Sequence, residues 1–474
     1  MFGSESHMVA VDHPRVARSI TVLHGPLRAH LSTTACLLLL LLYCSSTIAF
    51  GPISRQLVSK LPAARRGRGL AARRAERALY EDGGSVGGSP PTTPQASAAD
   101  TAAIKAIFTA ALYPIPANQP NACTWPGVNC RTGGLVKQLY LRFDVDPPPP
   151  PPTPRLCNRT ARVPGGKFPA TLSESVGQLT GLTDLGVKGF WLAGSFPRSF
   201  SRLTNMEYLE IGDNCFAGPL PAIFRMPTLF HAVAARNFFT GGLPQRPAAY
   251  AAAAKLSILD LGNNRLSGPI PAALATLPYL QIYFSGNLLT GNIPRALLKT
   301  LIPIDVSRNR LSGDLSGQQI MSSSFNVSGN RLTGNFNTIR FGQYVTSIDV
   351  SHNLFSGPFP QIVCDRGGVQ TDFSHNRLTG AVPANCFKSG SSFPNGLFLS
   401  HNSFSGSLQP FSNLPTQITV LDLGFNKFTG SIPRGLARLS QLTFLDLGAN
   451  ALTGELTGKL QIQPNQLDAK TISC

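Results

Sequence analysis

The chain is predicted to fold as an α/β-type solenoid built from short stacked coils, and three observations predict it. Asparagine returns at one fixed place in a repeated phrase: Asn214, Asn237, Asn264, Asn287, Asn309, Asn330, Asn353, Asn376, Asn402, Asn426 and Asn450. Apolar residues stand three and five positions before most of these, as Leu259 and Leu261 do before Asn264 or Leu421 and Leu423 before Asn426. A glycine follows each asparagine by four positions, as Gly268 follows Asn264.

From Asn214 to Asn450 the phrase advances 236 residues in ten steps, about 23.6 per unit, inside the leucine-rich repeat range. Alternating apolar and polar residues before each asparagine predict a short strand with one buried face, so successive units stack strand on strand. The asparagine stands where the strand turns away. Its side chain is suited to satisfy backbone groups of neighbouring turns, so the column acts as an internal hydrogen-bond ladder.

The 474 residues are enough for two or three compact domains, but a repeat array spends the same length on one elongated body. Of the net charge of +18, the part from Val176 onward carries 22 Lys and Arg against 14 Asp and Glu. The remaining excess lies upstream, densest at Arg65, Arg66, Arg68, Arg73, Arg74 and Arg77, with only Glu76 as counter-charge. No aromatic residues interleave with these arginines and no recognition fold follows them, so nucleic acid is not the expected partner.

Leu37 to Leu42 form an unbroken leucine run behind Arg15, Arg18 and Arg28, and Thr47 and Ala49 provide small residues before Phe50. This reads as a secretory signal over 1–49. Its long N-terminal region leaves open a start at Met8 or retention as a signal anchor. Phe50, Gly51 and Pro52, then an Arg- and Ala-containing, acid-poor stretch, resemble the signal-plus-transit leaders of algae with secondary plastids. Secretion or the cell surface is the expected address, with plastid import of a scaffold protein the alternative. On the residues alone, 50–99 is a basic Gly/Ser/Pro spacer.

Asp100 to Phe108 carries apolar residues at Ala103, Ile104, Ile107 and Phe108, predicting an amphipathic helix with Asp100 as its N-cap. The stretch Cys123, Thr124, Trp125, Pro126, Gly127, Val128, Asn129, Cys130 follows, then a strand-like run from Leu135 to Leu141. A helix opening on Asp, a CxWxGVxC-like pair and repeats of the form LxxLxLxxNxLxGxIP together resemble the ectodomains of plant-type leucine-rich repeat proteins. That group includes receptor-like kinases, receptor-like proteins and polygalacturonase inhibitors, and the resemblance covers roughly residues 100 to 457.

The resemblance implies a right-handed superhelix of about 12–13 plant-type coils with a short helical N-terminal cap over 100–134 and a solenoid over 135–457. Its signature after the ladder residue is complete at Gly268, Ile270 and Pro271, at Gly291, Ile293 and Pro294, and at Gly430, Ile432 and Pro433. The glycine frees φ in the turn and the proline sets the chain direction beyond it; family structures place a second short strand here. Phe190 stands as a substituted ladder position, because Leu185, Val187, Leu192 and Gly194 keep their places around it. Two departures are plain. A Pro-rich insertion, 145–166, interrupts the first repeat, and the coils fade after Leu456, so 458–474 reads as an irregular or truncated end lacking the usual cysteine-paired cap.

Cys36 and Cys44 fall in the leader and seven cysteines remain. Cys123 and Cys130 are expected to bond, since the exposed end of an apolar solenoid needs a fixed lid and a secretory route permits the bond. Cys364 and Cys386, at nearly equivalent places on adjacent coils, are expected to form a second bridge. Cys157, Cys215 and Cys474 stay unassigned. No CxxC pair exists and the histidines are scattered, so no metal site is expected.

Gly83 to Gly87 matches GxSxG, but inside a glycine-rich spacer without the strand and helix that hold a nucleophile elbow. No P-loop, HExxH or kinase loop occurs, so neither catalytic residues nor a cofactor is expected. The concave strand positions lie two, four and six before the ladder asparagine. Four before, acidic residues recur at Glu210, Asp260, Asp305, Asp349, Asp372, Asp422 and Asp446. Carboxylates about 5 Å apart repel by roughly 1 kcal/mol in water, tolerable on an exposed face. The same face carries Tyr208, His231, Tyr283, Phe398 and Phe444, the side-chain types that enrich recognition surfaces. Two glycosylation sequons occur, at Asn158 and Asn326; a glycan on Asn326 would stand mid-groove.

The sequence thus predicts a non-catalytic, disulfide-bonded secreted module that binds a protein, peptide or glycan on its concave face, in cell-surface signalling or defence. With no hydrophobic span after the repeats, it would serve beside a membrane receptor as co-receptor or decoy. An inhibitor of an extracellular wall-degrading enzyme is the alternative.

Overall fold

The computed structural model of the chain describes residues 94–141 and 170–453, apart from breaks at 112, 278–279, 367, 388–392 and 394–395, together with Cys157 and 472–473. The leader, the arginine cluster, the GxSxG match, Asn158 and nearly all of the insertion lie outside the described residues.

Each coil contributes two strands. The first carries the apolar residue five before the ladder asparagine, as in Ile258–Asp260, where Leu259 is buried and its neighbours half-exposed. These strands join a 15-stranded inner sheet that opens with Val128–Cys130 antiparallel to Val136–Tyr140 and then runs in parallel through Asp184–Gly186, Tyr208–Glu210, His231–Val233 and onward to Phe444–Asp446. Counting Val136–Tyr140, thirteen coils contribute, and the register is residue for residue, as in Leu259 opposite Ile282. The second strand follows the asparagine, as in Arg265–Pro269, and joins a parallel 12-stranded outer sheet. Short helical turns return the chain along the back, for example Arg198–Arg202 and Arg434–Arg438. Where the coil shortens to 21 residues between Asn309 and Asn330, Gln319–Ile320 pairs with Arg340–Phe341 instead.

The ladder explains why the coils hold. The Asn309 side-chain carbonyl accepts from Leu289 N–H of the preceding coil at 3.0 Å. Its amide donates to Phe284 O of that coil at 3.0 Å, and to Val306 O and Ser307 O of its own turn. The pattern repeats from Asn214 to Asn450. The residue before each ladder asparagine has φ between 51° and 66° in all eleven coils, and only two of those residues are glycine, Gly286 and Gly329. Its carbonyl serves the ladder too: Asn353 N–H donates to His375 O at 3.1 Å. Left-handed backbone at non-glycine residues is strained, and it persists because the turn is bonded on both sides.

At the N-terminal end, helix α1 spans Ala98–Ala110. Its N-cap is Ser97, three residues before the expected Asp100, because the Ser97 hydroxyl accepts from Asp100 N–H at 2.9 Å. The Asp100 carboxylate, in the first helical turn, instead accepts from Val136 N–H at 2.9 Å and ties the helix to the first parallel strand. Phe108 packs on Trp125, whose indole N–H donates to Gln119 O, and Cys123–Cys130 closes the lid. Cys364–Cys386 bridges adjacent coils with Cα atoms 4.4 Å apart. A third bridge, Cys157–Cys215, pairs two of the cysteines that spacing left unassigned and anchors the insertion to the outer sheet. At the far end, Ile472–Ser473 adds a strand beside Phe444–Asp446, so two residues of the stretch expected to be irregular extend the inner sheet.

Candidate recognition face

On the inner sheet, residues six and four before most ladder asparagines are half-exposed while the residue between them is buried; Gln370 is exposed and Gly396 buried at the first of these positions. The strand pairing lines up the second of these positions into one column. Asp260, Tyr283, Asp305, Asn326, Asp349, Asp372, Phe398, Asp422 and Asp446 stand opposite one another in turn. Phe444 sits two residues before Asp446 on the last coil.

Most of these acids also have work inside their own coil. The residue two before the asparagine donates its N–H to them: Gly262 to Asp260, Ser307 to Asp305, Ser351 to Asp349, Ser374 to Asp372 and Gly448 to Asp446. Asn326 does the same with Ser328 N–H and Oγ, so the sequon asparagine is a stand-in for the usual aspartate. Burial, with the nearby Asp349 charge second, pushes Asp372 up to about 7, and burial pushes Asp422 up to about 6. Asp260 and Asp305 are raised for the same leading reason. Near neutrality this column is therefore less negative than its count of carboxylates.

Towards the N-terminal end the face changes character. Tyr208 and His231 stack at 4.5 Å, and Tyr208 Oη donates to Glu210 at 3.1 Å. Lys188 pairs with Glu210 at 2.9 Å, and Arg236 pairs with Asp213. Tyr140 donates to Asp184, and burial followed by that carboxylate raises its hydroxyl well above the usual range. Tyr283 Oη donates to Oε1 of Gln281, two residues earlier on the same strand, at 3.0 Å. The structure thus gathers Tyr208, Glu210 and His231 into one polar aromatic cluster and leaves Phe398 and Phe444 apart from it, among the acids.

Sequence reasoning missed Tyr140, Asp184, Lys188 and Arg236, because the first two belong to coils whose ladder residue is absent or substituted and the others lie off the strand. It also missed a ladder of rings. His352, His375, His401 and Phe425 occupy the left-handed position on four successive coils and stack at 3.9, 3.9 and 4.1 Å. Burial, then the neighbouring imidazoles, lowers His375 to about 4. The signal was available, since all four stand one residue before a ladder asparagine.

Among the described residues, no group of His, Cys, Asp and Glu is arranged to hold a metal ion, and no helix is long and apolar enough to cross a membrane.

The family model "Leucine Rich Repeat" matches residues 255–277 and 417–439. Over 106 residues the chain is 28% identical to the leucine-rich repeat receptor-like serine/threonine-protein kinase RGI4 of Arabidopsis thaliana, a match taking in 22% of this chain and 8% of the kinase. Solved structures that share the fold include two plant receptor complexes. PEPR1 in complex with AtPEP1 superposes with a TM-score of 0.52 at 21% identity over 73% of this chain and 53% of that one. The ectodomain of GASSHO1/SCHENGEN3 from Arabidopsis thaliana, in complex with CASPARIAN STRIP INTEGRITY FACTOR 2, gives 0.50 at 21% identity over 74% and 47%.

Proposed function

The chain is a plant-type leucine-rich repeat protein, and from that premise we propose that its inner sheet is a non-catalytic extracellular recognition face for an extended peptide or a protein loop carrying basic and aromatic side chains. The observation that carries this reading is the in-register column from Asp260 to Asp446, a run of carboxylates interrupted by Tyr283, Asn326 and Phe398. Strands about 4.8 Å apart give a partner laid across the coils a regular series of acceptors, and the rings offer rigid apolar contact at low entropic cost. The Tyr208–His231 stack and its ion pairs add a second contact area. A rigid solenoid loses little freedom on binding.

Three disulfides support an oxidising, extracellular setting. A glycan on Asn326 would divide the column and confine partners to either side.

The test is affinity capture from extracellular medium, comparing the chain with a variant carrying Tyr208→Ala, His231→Ala and Tyr283→Ala. A reproducibly recovered peptide or protein that the variant loses supports the reading. A set of recovered proteins identical for both chains refutes it, and recovery of a wall-degrading enzyme that the chain inhibits establishes the inhibitor alternative.

A further inference from the structure

The outer sheet presents a second surface of opposite character. From Phe238–Gly241 to Lys427–Ser431 the residues one and three after the ladder asparagine are exposed or half-exposed, while the residue between them is buried, as Leu266, Leu311 and Leu378 are. In five of the eleven coils the first position holds an exposed cation, Arg265, Arg310, Arg331, Arg377 or Lys427, and uncharged residues such as Leu288, Leu354 and Ser403 stand between them. The second holds Ser or Thr in every coil from Thr240 to Thr453.

Register brings the two columns together. The outer strands pair with a two-residue offset, so each cation stands beside a hydroxyl of the preceding coil: Arg310 opposite Thr290, Arg331 opposite Ser312, Arg377 opposite Ser356 and Lys427 opposite Ser405. Arg265, opposite Thr240, lies over the Phe238 ring at 4.6 Å. The ion pairs Lys188–Glu210 and Arg236–Asp213 both lie off the strands of this sheet. Its one carboxylate among the described residues, Asp314, accepts from Ser316 N–H of its own turn.

We propose that the outer sheet is a binding surface for a polyanionic glycan, a chain of carboxylated or sulfated sugars laid over the coils. A repeated cation with a hydroxyl at its side complements a polymer whose units each carry an acid group and free hydroxyls. Guanidinium forks bind carboxylate or sulfate through two parallel bonds. Arg310 and Arg331 stand on neighbouring strands and repel in the free protein, and a polyanion removes that repulsion while releasing its own counterions. The surface is separate from the inner sheet, so the two partners bind without competing.

The test uses the purified full chain against polygalacturonate and dextran sulfate as acidic glycans, dextran as the neutral one and poly-glutamate as an acidic polypeptide, at low and high salt. The chain is expected to bind at least one acidic glycan, to ignore dextran and to release the glycan at high salt. The variant R310A/R331A/R377A/K427A is expected to lose about tenfold or more in affinity. The variant R202A/R225A/R246A/R434A removes the same charge from the return turns and is expected to lose less than about threefold. If the first variant fails to fold, the pairs R310A/R331A and R377A/K427A are each expected to lose severalfold. Equal losses from the two charge-matched sets, tighter binding to poly-glutamate than to either glycan, or no binding to any acidic glycan would overturn the proposal.

Discussion

A single ladder asparagine joins four backbone groups from two coils, so its removal orphans groups that no water reaches. Asn309→Ala is expected to cost about 2–4 kcal/mol in denaturant unfolding, with amide exchange accelerating first in the strands flanking Asn309. A loss below about 0.5 kcal/mol would mean the ladder is ornamental. The acid column answers to pH. Asp372, raised to about 7, favours its protonated form in the folded state, so its contribution is full below the unfolded value near 4 and is lost as pH rises through 7. Asp372→Asn, which reproduces the chemistry already present at Asn326, is expected to stabilise the chain by about 1–2 kcal/mol at pH 8 and to give no gain at pH 4; thermal melts at the two pH values decide it. His375 works in the opposite direction. Its folded value of about 4 lies below the ordinary one, so its stabilisation is full above pH 6.5 and is lost as the solution is acidified towards 4.

The strands show what could be read in advance. Buried apolar residues five and three before most asparagines specify the inner strand by side-chain period; the outer strand beyond the glycine was implied by the resemblance to plant-type leucine-rich repeat proteins. The cap was legible except for its first turn, where Ser97 outcompeted Asp100 because Asp100 is needed by Val136 N–H across the fold. That bond joins residues 36 apart and leaves no local trace. Cys157–Cys215 was unreadable for a similar reason, since its partners are 58 residues apart and Cys157 lies in the insertion that breaks the repeat. The strand Gln370–Asp372 carries one flaw: Thr371 fills a leucine position, 3% exposed, and its hydroxyl finds no partner among the described residues. Thr371→Val keeps the shape without the orphaned hydroxyl and is expected to raise stability by about 1 kcal/mol in urea unfolding. Opening the cap by Cys123→Ser with Cys130→Ser is expected to cost about 2–3 kcal/mol, with exchange rising first in α1 and Val136–Tyr140.

Across the whole array, the two sheets give one chain two chemical faces: an inner face of acids and rings, and an outer face of cations and hydroxyls. The candidate site was partly legible because repeat positions forecast which side chains face outward, but stacking partners and proton affinities depend on neighbours in space. Tyr208 and His231 were flagged singly, and only the pairing of their strands makes them a unit. The measurement that tests the central claim most directly is amide hydrogen exchange of the chain with and without its captured peptide or protein partner. The account predicts added protection along the inner strands from Tyr208–Glu210 through Phe444–Asp446. Protection confined to the return turns or the outer sheet, with the inner strands unchanged, would contradict it.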